Sequence, residues 1–287
     1  MADGGALINF GELSKPATVL IEKISDALGG IAKPWQIERV ARAEAKADMI
    51  RAEARVQISE IEERALIRMV REEGHKQENI ENITAKAIPK LEPDAKPENV
   101  EKDWLTHFFD RSRLTSDEEM QSLWANILAG EANAPGKFSK RTVEFVSTLD
   151  KRDAEIFTKF CTFCWMIGYV TPLIFDNNNR IYNDMGINFE TLSHLDSIGL
   201  VSFDAIGTFI RSDFPKFIHV FYYGTPVTIE FPADKNTLQL GKVTMTRIGM
   251  ELAPIAGATR SNEYFQHVLE KWGRENYILS SPVAMRK

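Results

Sequence analysis

The chain has 287 residues, 44% of them hydrophobic and 26% charged, and carries a net charge of -6. That balance excludes disorder of the whole chain. The acidic total argues against a general nucleic-acid binder, which needs clustered Lys and Arg to neutralise phosphates. Cys161 and Cys164 are its only cysteines, and no cationic segment leads into an apolar core at the N-terminus. Both features point to a reducing cytoplasm. No apolar run reaches the ~20 residues that span a bilayer as a helix. Phe160 to Val170 is the longest candidate and reads as a buried core helix.

From Leu7 to Ile31 the apolar residues Leu13, Ala17, Leu20, Ile21, Ile24, Leu28 and Ile31 fall at helical spacing. Ser14 is the expected N-cap, Pro16 sits in the first turn, and Gly29-Gly30 is the stop. This amphipathic helix is expected to pack on its own fold or on a partner. A sharper alternative puts Leu13, Leu20, Ile24 and Leu28 against a membrane interface or a binding partner.

Between Trp35 and Ala87 the chain has no proline, has Gly74 as its single glycine, and is rich in Ala, Glu and Arg. Glu38 with Arg42 and Glu60 with Arg64 are spaced as favourable helical pairs. The apolar seam runs Ala43, Ala47, Ile50, Ala54, Ile58, Ile61, Ala65, Met69, stepping by three and four in an eleven-residue repeat. A period of ~3.67 residues predicts a nearly straight or slightly right-handed supercoil. Such a narrow seam cannot be buried by one helix alone, so it is expected to be an oligomer interface. The competing arrangement folds the helix back on its own domain. A weaker stripe, Met49, Val56, Ile67 and Val70, points to neighbours on a second side.

Pro89, Pro93 and Pro97 mark a linker-like stretch. Beyond it, Asn99 or Asp103 is the expected cap of a helix carrying Trp104, Leu105, Phe108 and Phe109. Ser116 with Glu119 reads as a capping box for a helix that buries Met120, Leu123, Trp124, Ile127 and Leu128 and stops at Gly130. A turn at Asn133–Phe138, a helix at Thr142–Leu149 and an apolar helix at Asp153–Ile167 follow. Asp176–Arg180 reads as a tight turn between short strands. Phe189–Ile198 is a helix ended by Gly199, and alternation around Phe217–Tyr223 and Val227–Phe231 marks strands. Gly241–Leu252 runs from strand to helix, and Glu263–Tyr277 is a last helix. Helix, strand, paired strands, strand, helix is the order of a winged helix.

Cys161-Thr162-Phe163-Cys164 has metal-ligand spacing, but a structural zinc site needs about four convergent ligands, so two core cysteines are the favoured reading. No phosphate loop, nucleophile elbow or HExxH is present. His194 beside Ser193 and Asp196 does not form a triad, because adjacent residues cannot converge. The expected recognition helix, Asn188–Ile198, has no Lys or Arg to anchor phosphates.

Leu13–Ala17, Ser116–Glu131 and Pro135–Thr142 (LSKPA, SDEEMQSLWANILAGE, PGKFSKRT) resemble a family of bacterial proteins of unknown function. More loosely, the early SKPA segment and the helix at 117–129 are similar to the Abi-alpha abortive-infection family, which implies a role in defence against phage. Neither resemblance assigns a site residue.

The sequence thus predicts a mainly α protein with a smaller C-terminal α+β part. Residues 1–34 form an amphipathic helix, 35–88 a long oligomerising helix, 89–100 a Pro-rich linker, 101–170 a central helical core and 171–287 a winged-helix-like domain. The expected function is a non-enzymatic, homo-oligomeric sensor or scaffold in phage defence, cytoplasmic, with no cofactor or metal and with a phage or host protein as partner. The alternatives are an effector whose N-terminal helix reaches the membrane on activation, and a DNA-binding regulator.

Overall fold

The computed structural model describes residues 13–28 and 60–281. The chain divides into two compact units, Met1–Ser147 and Thr148–Lys287. The described part of the first is helical, and every described strand lies in the second, so the architecture is mainly α with a sheet-bearing C-terminal half.

The first unit contains α1 (Lys15–Ala27), α2 (Glu60–Ala87), α3 (Lys102–Ser112), α4 (Glu118–Asn133) and α5 (Lys140–Ser147). Ser14 caps α1 as expected, its hydroxyl accepting from Ala17 N at 3.4 Å, and Pro16 occupies the first turn. Leu20 and Ile24 are fully buried, and Lys23 Nζ ties α1 to Val100 O at 3.1 Å. The two side chains offered to a membrane or partner are therefore core residues of this unit; Leu13 and Leu28 at the ends are half-buried.

Helix α2 carries one face to two different fates. Its C-terminal half buries Ile80, Ile83, Thr84 and Ala87 against α4. Its N-terminal half leaves Ile61, Ala65 and Met69 exposed. Ile83 and Ala87 lie two eleven-residue steps beyond Ile61 and Ala65, and Ile80 one beyond Met69, so the eleven-residue frame continues from exposed seam to buried core. Glu72 and Lys76 occupy the frame at the changeover. The Glu60–Arg64 pair forms at 3.6 Å. Ala43, Ala47, Ile50, Ala54 and Ile58, with Met49 and Val56, lie outside the described residues.

Other details differ from expectation. The proline-rich stretch packs on α4: Pro97 is buried, Lys96 N donates to Ala132 O at 2.9 Å, and Glu92 N donates to Asn133 Oδ1 at 3.0 Å. The cap of α3 is Glu101, without a side-chain bond. The cap of α4 is Asp117, whose carboxylate accepts from Glu119 N and Met120 N at 3.0 Å. Gly130 does not stop α4, which continues to Asn133. A Cβ there would lie 2.6 Å from the Phe138 ring, so the glycine admits that ring instead. Glu131, 3% exposed, shapes the next turn by accepting from Gly136 N at 2.6 Å and Phe138 N at 2.9 Å.

The second unit begins with α6 (Lys151–Cys161), placed by the sequence reading in the central core. The expected helix to Ile167 breaks at Cys161, and β1 (Cys164–Ile167) follows. Trp165 and Ile167 point inward while Cys164 and Met166 alternate outward, a period of two that a helix cannot provide. Then come β2 (Tyr169–Pro172), α7 (Arg180–Asn183), α8 (Phe189–Ser197), β3 (Val201–Phe203), β4 (Phe209–Phe214), β5 (Phe217–Tyr222), β6 (Thr225–Glu230), β7 (Asn236–Gly241), β8 (Val243–Met245), α9 (Arg247–Leu252), α10 (Asn262–Arg274) and β9 (Ile278–Ser280). Asp176–Arg180 leads into the single-turn α7, capped by Asn179, rather than linking two strands.

An antiparallel sheet has the order β2-β1-β5-β6-β9, and β3 pairs with β8 and β4 with β7. The β5–β6 hairpin expected as a wing is thus the centre of the large sheet, while the ribbon after α8 is made by β3–β4 and β7–β8. Helix α10 supplies Phe265 and Trp272 to the inner sheet face, where Trp165 stacks on Phe265 at 5.6 Å and meets Trp272 at 5.0 Å. Gly241, at φ 102°, lets Ile174 O approach to 2.1 Å of the place a Cβ would take. Among the described residues no helix is long and apolar enough to cross a membrane.

The core of the first unit centres on Trp124, which is fully buried, edge-on to Phe108 at 5.2 Å and bonded through Nε1 to Thr115 Oγ1 at 3.1 Å. Trp124→Ala is expected to destabilise the protein by ~3–5 kcal/mol, the range for truncating a buried aromatic. Urea unfolding followed by circular dichroism checks it, and an unchanged midpoint would contradict the packing.

Candidate functional site

The helix-to-strand turn Cys161-Thr162-Phe163-Cys164 lies within the second unit, with Thr162 4% and Phe163 0% exposed. The end of a helix leaves carbonyls without intrahelical donors, and burial here keeps water from supplying them. Three tyrosines do so. Tyr223 Oη donates to Cys161 O at 3.0 Å, Tyr222 Oη to Thr162 O at 2.9 Å and Tyr264 Oη to Phe163 O at 2.9 Å. Tyr222 Oη also accepts from Ser261 N at 2.9 Å, and Tyr264 Oη reaches Leu173 O at 3.0 Å. Each consecutive carbonyl of the turn is thereby held by a phenol from elsewhere in the fold.

The β5–β6 turn delivers two of these phenols. Tyr223 and Gly224 have φ of 45° and 78°, the doubly left-handed backbone of a tight hairpin. A bulky residue is costly there, and the bond to Cys161 O gives the conformation a compensating contact. Tyr264 comes from α10, whose N-cap is Ser261.

A cavity of about 430 Å³ opens beside the turn, lined among others by Cys161, Cys164, Met166, Phe221, Tyr223 and Pro254. Cys161 is buried and Cys164 half-buried. Burial, then the neighbouring Cys164 thiol with which it interacts, pushes the Cys161 thiol up from its ordinary acidity. Helix C-terminal placement offers no positive dipole to favour a thiolate. The Cys161 thiol is therefore held protonated at neutral pH, which disfavours nucleophilic chemistry by that residue. Among the described residues no cluster of three His, Cys, Asp or Glu is placed to hold a metal.

The remaining sequence candidates are scattered. His194 is not joined to Ser193 or Asp196; its Nε2 meets Asp153 Oδ1 at 2.7 Å, tying α8 to α6. Ser197 Oγ donates to the His194 carbonyl at 2.8 Å rather than to the ring, so no hydroxyl nucleophile is assembled there. Ile61, Ala65 and Met69 share an exposed stretch of α2 in the other unit. The tyrosine clamp has no sequence signature: its members lie 60, 62 and 101 residues from their acceptors. The visible signal was the cysteine spacing alone.

Removing the Tyr222 hydroxyl strands Thr162 O and Ser261 N together, whereas Phe163 O and Leu173 O keep second donors, Leu173 N and Tyr182 Oη. Tyr222→Phe is expected to cost ~1–3 kcal/mol and Tyr264→Phe only about 1 kcal/mol, measured by denaturant unfolding. Equal losses would contradict this accounting. Burial also holds the hydroxyls of Tyr264 and Tyr222 protonated above the ordinary tyrosine range. The unfolded chain releases these protons near pH ~10 while the folded state retains them, so their contribution is complete below that pH and is lost above it. Tyrosinate absorbance and loss of circular dichroism should therefore appear together on alkaline titration.

Comparison with curated proteins and with solved structures returned no match. One family model matches residues 63–269, described as a protein of unknown function (DUF2806). The match runs from α2 through most of α10 and contains the clamp and the cavity. The chain belongs to the DUF2806 family.

Proposed function

We propose that this protein is a non-catalytic scaffold or sensor that self-associates through the N-terminal half of α2 and acts through protein contacts. The observation that carries this reading is the exposure of Ile61 (68%) and Met69 (54%) in the same eleven-residue frame that is buried at Ile80, Ile83 and Ala87. Apolar area left in water costs ~25 cal/mol per Å² relative to burial, so a seam that continues past its own unit is a surface for a partner. A second copy is the favoured occupant. Alanine at four of the eight seam positions permits close helix approach, and both signs of charge flank the seam, so two copies are complementary.

A rigid apolar loop supports contact with a further protein. Asp204 Oδ1 accepts from Ile206 N at 2.9 Å and Gly207 N at 2.7 Å, and Lys242 Nζ donates to the Ala205, Ile206 and Gly207 carbonyls. This bracing holds Ile206 95% exposed. The order α8, β3, ribbon, β8, α9 is consistent with a winged-helix-like arrangement carrying the β5–β6 hairpin as an insertion. Its first helix has no Lys or Arg, which favours a protein rather than DNA as partner. The similarity to the Abi-alpha family supports a place in bacterial defence against phage, with a phage or host protein as the contact.

Analytical ultracentrifugation of the full chain decides self-association. Wild type is expected to be oligomeric at micromolar concentration. Ile61→Asp with Met69→Asp should weaken assembly by roughly 100-fold or more, because carboxylates would be desolvated at the contact. A monomeric wild type would overturn the reading, as would an oligomer indifferent to both substitutions.

A further inference from the structure

The cavity beside the clamped turn is lined by a sulfur donor set of two cysteines and a methionine. Cys161, Cys164 and Met166, the chain's sulfur-bearing residues at this turn, all line it. Cys164 and Met166 are two apart on β1 and therefore share the outer face of the strand. Cys161 closes α6 one turn earlier, and its thiol interacts directly with that of Cys164.

We propose that these three residues form a binding site for a soft monovalent metal ion of the Cu(I) class. Two thiolates and a thioether are the soft donors that select Cu(I). Zinc requires about four ligands from thiolate, imidazole or carboxylate, and no His, Asp or Glu lines this cavity. Val170, Phe221 and Pro254 make the surroundings apolar, which suits a weakly hydrated soft ion held by sulfur rather than a hard cation that keeps its water. The three phenols that hold the Cys161, Thr162 and Phe163 carbonyls fix the backbone between the two thiols, so little ordering is needed when the ion enters. Met166 is 43% exposed, so the cavity lining includes a side chain within reach of solvent.

Binding changes no oxidation state. One Cu(I) displaces the protons of two thiols, forming two Cu–S bonds and releasing two H⁺, while the Met166 thioether donates a lone pair. The bound group carries one net negative charge.

The test uses the full chain, reduced and without oxygen, titrated with Cu(I) against a competing chelator, with Ag(I) as a redox-inert probe read by native mass spectrometry. One ion per chain is expected. Cys164→Ser should lower the affinity at least ~100-fold, and Met166→Leu roughly tenfold with an unchanged melting temperature. Both positions are partly exposed, so folding is retained, and Zn(II) under the same competition should not be held. Failure of wild type to retain either ion would overturn the site. Retention unchanged by Cys164→Ser would do the same, and an indifferent Met166→Leu would remove the third donor and with it the three-sulfur assignment.

Discussion

In the second unit a helix turns into a strand inside a closed core, and the carbonyls released at that point must find donors. A buried carbonyl left unpaired costs about 1–3 kcal/mol; here Cys161 O and Thr162 O take their donors from phenols, while Phe163 O also accepts from Leu173 N. Tyr222, Tyr223 and Tyr264 remove that cost, and their positions constrain much of the unit. The β5 strand must run beside β1 so that its end reaches the turn. Helix α10 must cross the inner sheet face so that Tyr264 reaches Phe163 O. The aromatic stack of Trp165, Tyr222, Phe265 and Trp272 follows from those two placements, because the same elements carry both the phenols and the rings.

The first unit depends on a simpler device, one helix face used twice. In α2 the frame that buries Ile80, Ile83 and Ala87 against α4 continues through Lys76 and Glu72 to exposed Ile61, Ala65 and Met69. The pairs Arg64–Glu60 and Arg68–Glu72 are well exposed, so each contributes only a few tenths of a kcal/mol. Pairing of that size does not offset an uncovered apolar face. Bracing at the other end is polar and local: Gln121 Nε2, on a side chain 3% exposed, donates to Asn79 Oδ1 and to Thr115 O, which fixes α2 on α4.

Some elements were legible because their determinants are local. Ser14 and Pro16 start α1 where the capping rules place its start, Asn188 and Gly199 bracket α8, and the Phe217–Phe231 segment is a hairpin with a tight turn. Boundaries shifted where two polar residues competed for one role, as with Ser116 and Asp117, or where a glycine served packing rather than termination, as at Gly130 beneath Phe138. The 160–170 segment misled more deeply. An unbroken apolar run fits a buried helix and a buried strand equally, and only the alternation of Trp165 and Ile167 against Cys164 and Met166 separates them.

The sequence by itself determined the helical character of the first unit's described residues, the capped starts of α1 and α8, the eleven-residue spacing of the seam and the close spacing of the two cysteines, since each follows from periodicity or from residues within a few positions of one another. Tertiary structure alone decided that Leu20 and Ile24 are core, that His194 pairs with Asp153, that the β5–β6 hairpin belongs to the large sheet, and that Met166 joins the cysteines in one cavity. Those outcomes depend on which surfaces meet across 40 to 100 residues of chain, where burial of area and the pairing of stranded backbone groups choose among arrangements that local spacing leaves equal.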